Sequence, residues 1–187
     1  MKTELTRRLE MALWRSTHNM GTFGCFEVTL GWYGKERVDY MTYNTKGIFR
    51  CYEIKVSLAD FRSASHNSFA GHYNYYVMPG ELYERVKGEI PDGVGVYTGD
   101  GDRAVTNVKR AKKKSPSMDI DVLKDSMIRS LCREYAKHIK SGDPYAIAQM
   151  ERRLREVAQE RDRYRSGYHD LKTELHELRH PERVPRR

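Results

Sequence analysis

Apolar positions recur at spacings of three and four at the start of the chain. Leu5, Leu9, Ala12 and Leu13 share one face of residues 3–16, and Thr3 is placed to cap the first turn, which predicts a short amphipathic helix. The period then changes towards two. "CFEVTLGWYG" reads as an extended segment with a glycine-rich end, "RVDYMTY" as a second strand, "NTKG" as a turn and "IFRCYEIKVS" as a third strand. Ser57, with Asp60 three residues on, marks the start of a helix. "YNYYVMP" predicts another strand closed by Pro79, "GELYERVKGEIPDG" a short helix or loop, and "VGVYTGDGD" a strand ending in a turn. The result is a mixed α/β domain over residues 1–110.

The pattern changes again after residue 108. "KRAKKKSPSM" (109–118) reads as an exposed basic linker, and residues 111–141 as the rest of that linker plus an amphipathic helix. On that helix Ile120, Leu123, Met127, Leu131, Tyr135 and Ile139 define one apolar face, and "SGDP" stops it. From 142 to 180 the alternation of three and four is unbroken: Ile147, Met150, Leu154, Val157, Arg161, Tyr164, Tyr168, Leu171, Leu175, Leu178. This heptad seam predicts a long coiled-coil helix, with self-association as a homodimer the expected use and folding back onto its own domain the alternative. Arg161 sits at a core position, where a charge costs stability but fixes register. Residues 181–187 read as a tail, with "HPERVPRR" frayed.

Composition narrows the partner. Of 187 residues, 39% are hydrophobic and 32% charged, with a formal net charge of +8 and a pI near 9.4. A nucleic acid is the first polyanion such a balance favours, and the run Lys109, Arg110, Lys112, Lys113 and Lys114 is the stretch expected to touch phosphates. Cys25, Cys51 and Cys132 are too few and too far apart for a disulfide framework or a zinc motif, which points to a reducing compartment. There is no long apolar run at the N terminus and no 18-residue apolar window, so neither a signal peptide nor a membrane span is expected.

The candidate chemistry lies in "FRCYEIKVSLADF" (49–61). In a strand, residues i and i+2 point the same way, so Glu53 and Lys55 share a face and Tyr52 and Ile54 take the other. An ordinary surface ion pair would look the same. Asp39, 14 residues upstream in the preceding strand, changes the picture, because a hairpin can bring it beside Glu53. Two carboxylates and the Ile54 carbonyl then form an oxygen site suited to Mg²⁺ or Mn²⁺, with Lys55 beside a phosphate under attack. Ser57 and Asp60 read as capping residues and Glu10 as part of a solvated helix face. His66 and His72 flank a small-residue loop, "RSASHNSFAGH", and are read as non-catalytic. His169, His176 and His180 are read as surface. Tyr73, Tyr75 and Tyr76 are read as sheet residues, with base stacking the alternative.

"RVDY" followed by "CYEIKVSLADF" resembles the active-site core of the PD-(D/E)xK superfamily, the restriction-endonuclease-like fold. More narrowly it is similar to MmcB-like DNA repair nucleases and their phage relatives. "EIKVSLADF" (53–61), "YYVMP" (75–79) and "IPDGVGVYTGDG" (90–101) follow that family's order, and the similarity covers residues 20–110. The resemblance implies a three-layer α/β core with a mixed sheet and a Mg²⁺-dependent deoxyribonuclease, with Mn²⁺ as the substitute ion. It implies Asp39 and Glu53 as metal ligands, Lys55 as the catalytic lysine and Glu27 as an assisting glutamate. Val38 stands where relatives carry proline. The expected setting is the cytoplasm of a bacterium or phage-infected host. The alternative is a nuclease-fold protein without catalysis that binds DNA or a host factor through its coiled coil; a nuclease acting on RNA is a third reading.

Overall fold

The computed structural model describes residues 2–34, 36–63, 67–101 and 103–179. The expectations for His66, His180 and the 181–187 tail fall outside the described residues. The chain divides into two units, Met1–Glu134 and Tyr135–Arg187.

The first unit opens with α1 (Glu4–Thr17), capped by Thr3, whose hydroxyl accepts from the Thr6 N–H. β1 (Thr22–Thr29), β2 (Arg37–Asn44) and β3 (Phe49–Ile54) form an antiparallel meander. A single helical turn, α2 (Leu58–Phe61), follows, and Ser57 caps it as the sequence predicts, accepting from the Asp60 N–H at 3.1 Å. β4 (Tyr73–Met78) lies parallel to β3, α3 (Gly80–Val86) crosses over, and β5 (Gly95–Thr98) lies parallel to β4. An antiparallel edge strand, β6 (Thr106–Lys109), completes a six-stranded mixed sheet in the order β1-β2-β3-β4-β5-β6.

Alternation in the strands builds a core on each face. Tyr40, Tyr52, Ile54, Tyr75 and Val77 pack beneath Leu9, Ala12 and Leu13 of α1. On the opposite face Val28, Val38, Met41, Phe49 and Cys51 pack against Leu123 and Met127 of α4 (Ile120–Gly142), while Tyr76, Met78 and Val96 pack against Leu82 and Val86 of α3. Full burial of a side chain the size of Leu123 stabilises by roughly 1.5–3 kcal/mol, so the start of α4 belongs to this unit.

Two details differ from the sequence reading. The basic run is no free linker: Lys109 lies in β6, and the N–H groups of Lys112, Lys114 and Ser117 donate to the carbonyls of Gly93, His72 and Ala70. The polar, short β6 carries no hydrophobic alternation, and the chain is bonded to the domain by backbone groups that composition does not reveal. Nor is the predicted apolar face of α4 uniformly buried, since Leu131, Tyr135 and Ile139 are exposed. Its buried positions are Leu123, Ser126, Met127 and Ser130. The second unit contains α5 (Pro144–Arg179). Among the described residues, no helix is long and apolar enough to cross a membrane.

Candidate functional site

The ladder between β2 and β3 ends at the pair Tyr40–Tyr52. One step beyond it the backbone pairing gives way to a side-chain contact: the Ile54 N–H donates to Asp39 Oδ2 at 2.8 Å. That bond aims Asp39 across to β3, beside Glu53. Tyr52 and Ile54 both enter the core under α1, as strand alternation requires, while Glu53 and Lys55 border the same cleft as Asp39.

This cleft, about 950 Å³, also takes in Glu27, Arg37 and Asp60, with Lys2, Thr6 and Glu10 along one side. Positions 2, 6 and 10 are spaced by four, so α1 presents Thr6 and Glu10 in one row, and Lys2 precedes them at the same interval. Sequence reasoning placed Glu10 on a solvated face; its side chain is 14% exposed and contacts Lys2. The signal that could have found it was this polar row bordering the apolar stripe of Leu5, Leu9 and Leu13. Lys2 and Arg37 were likewise missed.

Glu53 is 4% exposed and Lys55 5%. Glu53 Oε1 accepts the Ser68 N–H at 3.2 Å, and Lys55 Nζ lies 3.9 Å from Asp60 Oδ1. Asp60 Oδ2 in turn accepts the Val56 N–H at 3.1 Å. Burial, then the nearby charge of Asp39, pushes the Glu53 carboxyl up to about 8, with the Ser68 N–H and the Lys55 charge opposing. Burial also raises Asp39, against the Ile54 hydrogen bond. Thus two carboxyls are held close together with too little compensation to ionise together at neutral pH.

Glu27 is the one non-glycine residue with positive φ (55°) among the described residues, and it lies in the middle of β1. The β1–β2 register passes from Phe26–Tyr40 to Val28–Val38, skipping the Glu27–Asp39 level. Facing slips there as well: Cys25 and Val28 enter the same core, as do Met41 and Val38. The left-handed turn brings the Glu27 carboxylate to the cleft, 2.5 Å from Lys2 Nζ, with Oε2 2.7 Å from Arg37 Nε. The Arg37 contact lacks hydrogen-bond alignment, and Oε2 is a buried acceptor without a hydrogen bond among the described residues. Burial works to lower the Lys2 pKa, but the bonds and charges of Glu10 and Glu27 outweigh it and raise it.

An all-oxygen donor set of Asp39, Glu53 and the Ile54 carbonyl suits a hard divalent cation. Each carboxylate gives one oxygen to a backbone N–H, and the hydrogen bonds among the described residues leave its second oxygen without a donor. Two acids raised by burial are the surroundings a cation relieves, so the residues fit such an ion. Among the described residues no group of three or more His, Cys, Asp or Glu side chains converges.

The remaining candidates lie away from the cleft. The Phe49 N–H donates to His72 Nδ1 at 3.1 Å, at the opposite end of β3 from Glu53. Tyr75 and Tyr76 are buried and offer no stacking face, and Arg50 covers Tyr73. In the basic run, Lys109 reaches the carbonyls of Ile90 and Pro91, Lys112 pairs with Asp92, and Lys114 donates to the Phe69 carbonyl. Arg110 and Lys113 are exposed.

No family model and no curated protein matches the chain. Among solved structures it is similar to SPO1766, a protein of unknown function from Silicibacter pomeroyi, at 18% identity and a TM-score of 0.57, covering 75% of this chain and 92% of that one. At that identity the likeness speaks to the fold.

Proposed function

We propose that this chain is a divalent-cation-dependent nuclease hydrolysing DNA phosphodiester bonds on a core of the restriction-endonuclease type. One observation carries the reading. Asp39, Glu53 and Lys55, from β2 and the end of β3, border one polar cleft, where the Glu53 carboxyl is buried beside a second acid and raised to about 8. A strongly perturbed acid in a cleft, beside a second acid and a buried lysine, is a functional-site candidate. The order of "RVDY" and "EIKVSLADF" supports assigning the roles.

Asp39 and Glu53, with the Ile54 carbonyl, would hold the ion. When bound, Mg²⁺ or Mn²⁺ supplies positive charge to a phosphate oxygen and acidifies a water. Asp39 is oriented for this by the Ile54 N–H, and Glu53 by the Ser68 N–H. Lys55, kept in place near Asp60, presents its charge where negative charge grows on the phosphate. Arg37 and Lys2 line the cleft paired with Glu27, and Lys2 also with Glu10, so they meet a phosphate strand only by exchanging those partners. Arg110 and Lys113 add a sequence-independent, salt-sensitive contribution.

In α5 the seam residues Ile147, Met150, Leu154, Val157, Tyr164, Tyr168, Leu171, Leu175 and Leu178 are all exposed. An apolar heptad stripe of this length fits pairing with a second copy as a coiled coil. A DNA-binding protein without catalysis is the second reading. It is favoured by the engagement of Glu27 with Lys2 and Arg37, which holds one acid away from an ion.

The test is cleavage of single-stranded, duplex and branched DNA, and of RNA, with Mg²⁺, Mn²⁺ or EDTA. Metal-dependent DNA cleavage lost in Glu53→Ala and Lys55→Ala is expected. Identical behaviour of wild type and both variants on every substrate overturns the enzyme.

A further inference from the structure

The chain leaving β1 is tightly held at Leu30 and Gly31, yet it leaves the rings of Trp32 and Tyr33 in water. The Leu30 N–H donates to the Glu36 carbonyl at 3.0 Å and closes the turn between β1 and β2. Gly31 sits at φ 67°, a conformation that disfavours other residues, and a Cβ on Gly34 would stand 1.5 Å from the Leu30 carbonyl oxygen. Two side chains of α4 clamp the turn from behind. Ser126 Oγ accepts the Gly31 N–H at 3.0 Å, and the Arg129 guanidinium donates to the Gly31 carbonyl at 2.8 Å. The same guanidinium lies 4.4 Å from the centre of the Trp32 ring.

Trp32 is nevertheless 74% exposed and Tyr33 100% exposed. The backbone next to Trp32 is held, since both the N–H and the carbonyl of Gly31 are bonded to α4. Packing does not account for the exposure, since neither ring enters a core cluster. The turn leads straight into the cleft: Gly34, Glu36 and Arg37 line it. Arg129 backs one face of Trp32 and the exposure leaves the other open, which is the arrangement of a braced stacking surface.

We propose that Trp32 and Tyr33 form a stacking lip for an unpaired nucleobase, so that the cleft takes single-stranded or locally opened nucleic acid in preference to intact duplex. The inference rests on the nucleic-acid reading above. Every base has a π-face that a ring can cover, whereas a duplex buries those faces against its own neighbours. The lip holds a base beside the cleft that Arg37 and Lys55 border. The lip thus supplies a preference for strand state without reading sequence.

The experiment uses the full chain carrying Lys55→Ala, with Mg²⁺ present. It is titrated into a short single strand containing 2-aminopurine and into the same sequence as a blunt duplex. The single strand is expected to bind more tightly and its fluorescence to be quenched. Trp32→Ala and Tyr33→Ala each weaken single-strand binding roughly 5- to 150-fold. Trp32→Tyr and Tyr33→Phe restore most of it, and the salt dependence of binding stays unchanged because no phosphate contact is lost. Thermal melts equal to the parent protein establish that the alanine variants are folded. Duplex binding as tight as single-strand binding, or alanine variants that bind like the parent, overturns the lip while leaving the nuclease reading intact. Failure of the parent to bind either form overturns both.

Discussion

Replacing Glu53 by glutamine tests the electrostatics of the site without depending on activity. The substitution keeps size and shape and keeps a carbonyl oxygen to accept the Ser68 N–H, but removes the titratable proton. In the wild-type fold, burial and the charge of Asp39 raise the Glu53 carboxyl from an ordinary 4.5 to about 8. Between those values the folded protein holds a proton that the unfolded chain has released. Unfolding therefore gives up a proton, and stability falls as pH rises through this window, levelling off above about pH 8. At 1.36 kcal/mol per pH unit, the full displacement corresponds to a loss of about 5 kcal/mol. Asp39, raised in the same direction, adds to the slope. A loss of that size is a third or more of the stability of an ordinary domain.

The measurement is urea unfolding in EDTA from pH 5 to pH 9. The wild type is expected to lose several kcal/mol across the range and Glu53→Gln to lose markedly less. The two proteins should be within about 1 kcal/mol of each other at pH 5, where protonated glutamate and glutamine differ little. At pH 9 the variant should be the more stable. Mg²⁺ added at pH 8.5 should recover the wild type, by about 2.7 kcal/mol at one hundred times its dissociation constant, and leave Glu53→Gln unmoved. A wild-type stability that is flat with pH, or a variant less stable than wild type at pH 9, refutes the argument that Glu53 is raised by its surroundings.

Other consequences are simpler. Leu123→Ala should cost about 2–5 kcal/mol in urea unfolding of the full chain, because Leu123 is wholly buried between α4 and the sheet; a change under 0.5 kcal/mol would mean that the start of α4 is not packed into the first unit. Glu27→Gly should be about 1 kcal/mol more stable than Glu27→Ala, since both lose the same ion pairs but only glycine accepts a φ of 55° without strain; equal stabilities would remove the left-handed conformation. Arg161→Leu should raise the melting temperature of the full chain and tighten a dimer seen by sedimentation, because it removes the one charge from the seam; a monomer at micromolar concentration in both proteins removes the coiled coil.

The strands and first helix were legible because their patterns and their burial agree. Leu9, Leu13, Tyr52 and Ile54 are buried where the periodicity puts them. β6 was not legible, since Thr106, Asn107 and Val108 are exposed on an edge strand with no inward set of residues to betray it. The first half of α4 was legible as a helix but not as part of the domain. Ser126 and Ser130 on its buried face look polar in the sequence, yet Ser126 donates back to the Val122 carbonyl and is satisfied. The basic run misled for a related reason: its lysines look solvated by composition, whereas three of them reach carbonyl or carboxylate oxygens of the domain.

At the site, the hairpin argument depends only on a local turn and on strand period, and Asp39, Glu53 and Lys55 do border one cleft. What the sequence concealed is how Glu27 joins them. Perfect alternation along β1 would put Cys25 and Glu27 on one face with Val28 on the other, yet Cys25 and Val28 share a core. The slip is made by a left-handed residue that is not glycine, so nothing in composition announces it. Such a backbone costs of order 1–3 kcal/mol and persists where its surroundings hold it. Glycine at 27 would relieve that strain and keep the slip, but it would take the carboxylate out of the cleft. A glutamate at this φ therefore keeps a carboxylate in the lining of the cleft at a cost in stability. Its partners there are two cations, Lys2 and Arg37, whose charges hold the carboxylate at the cleft.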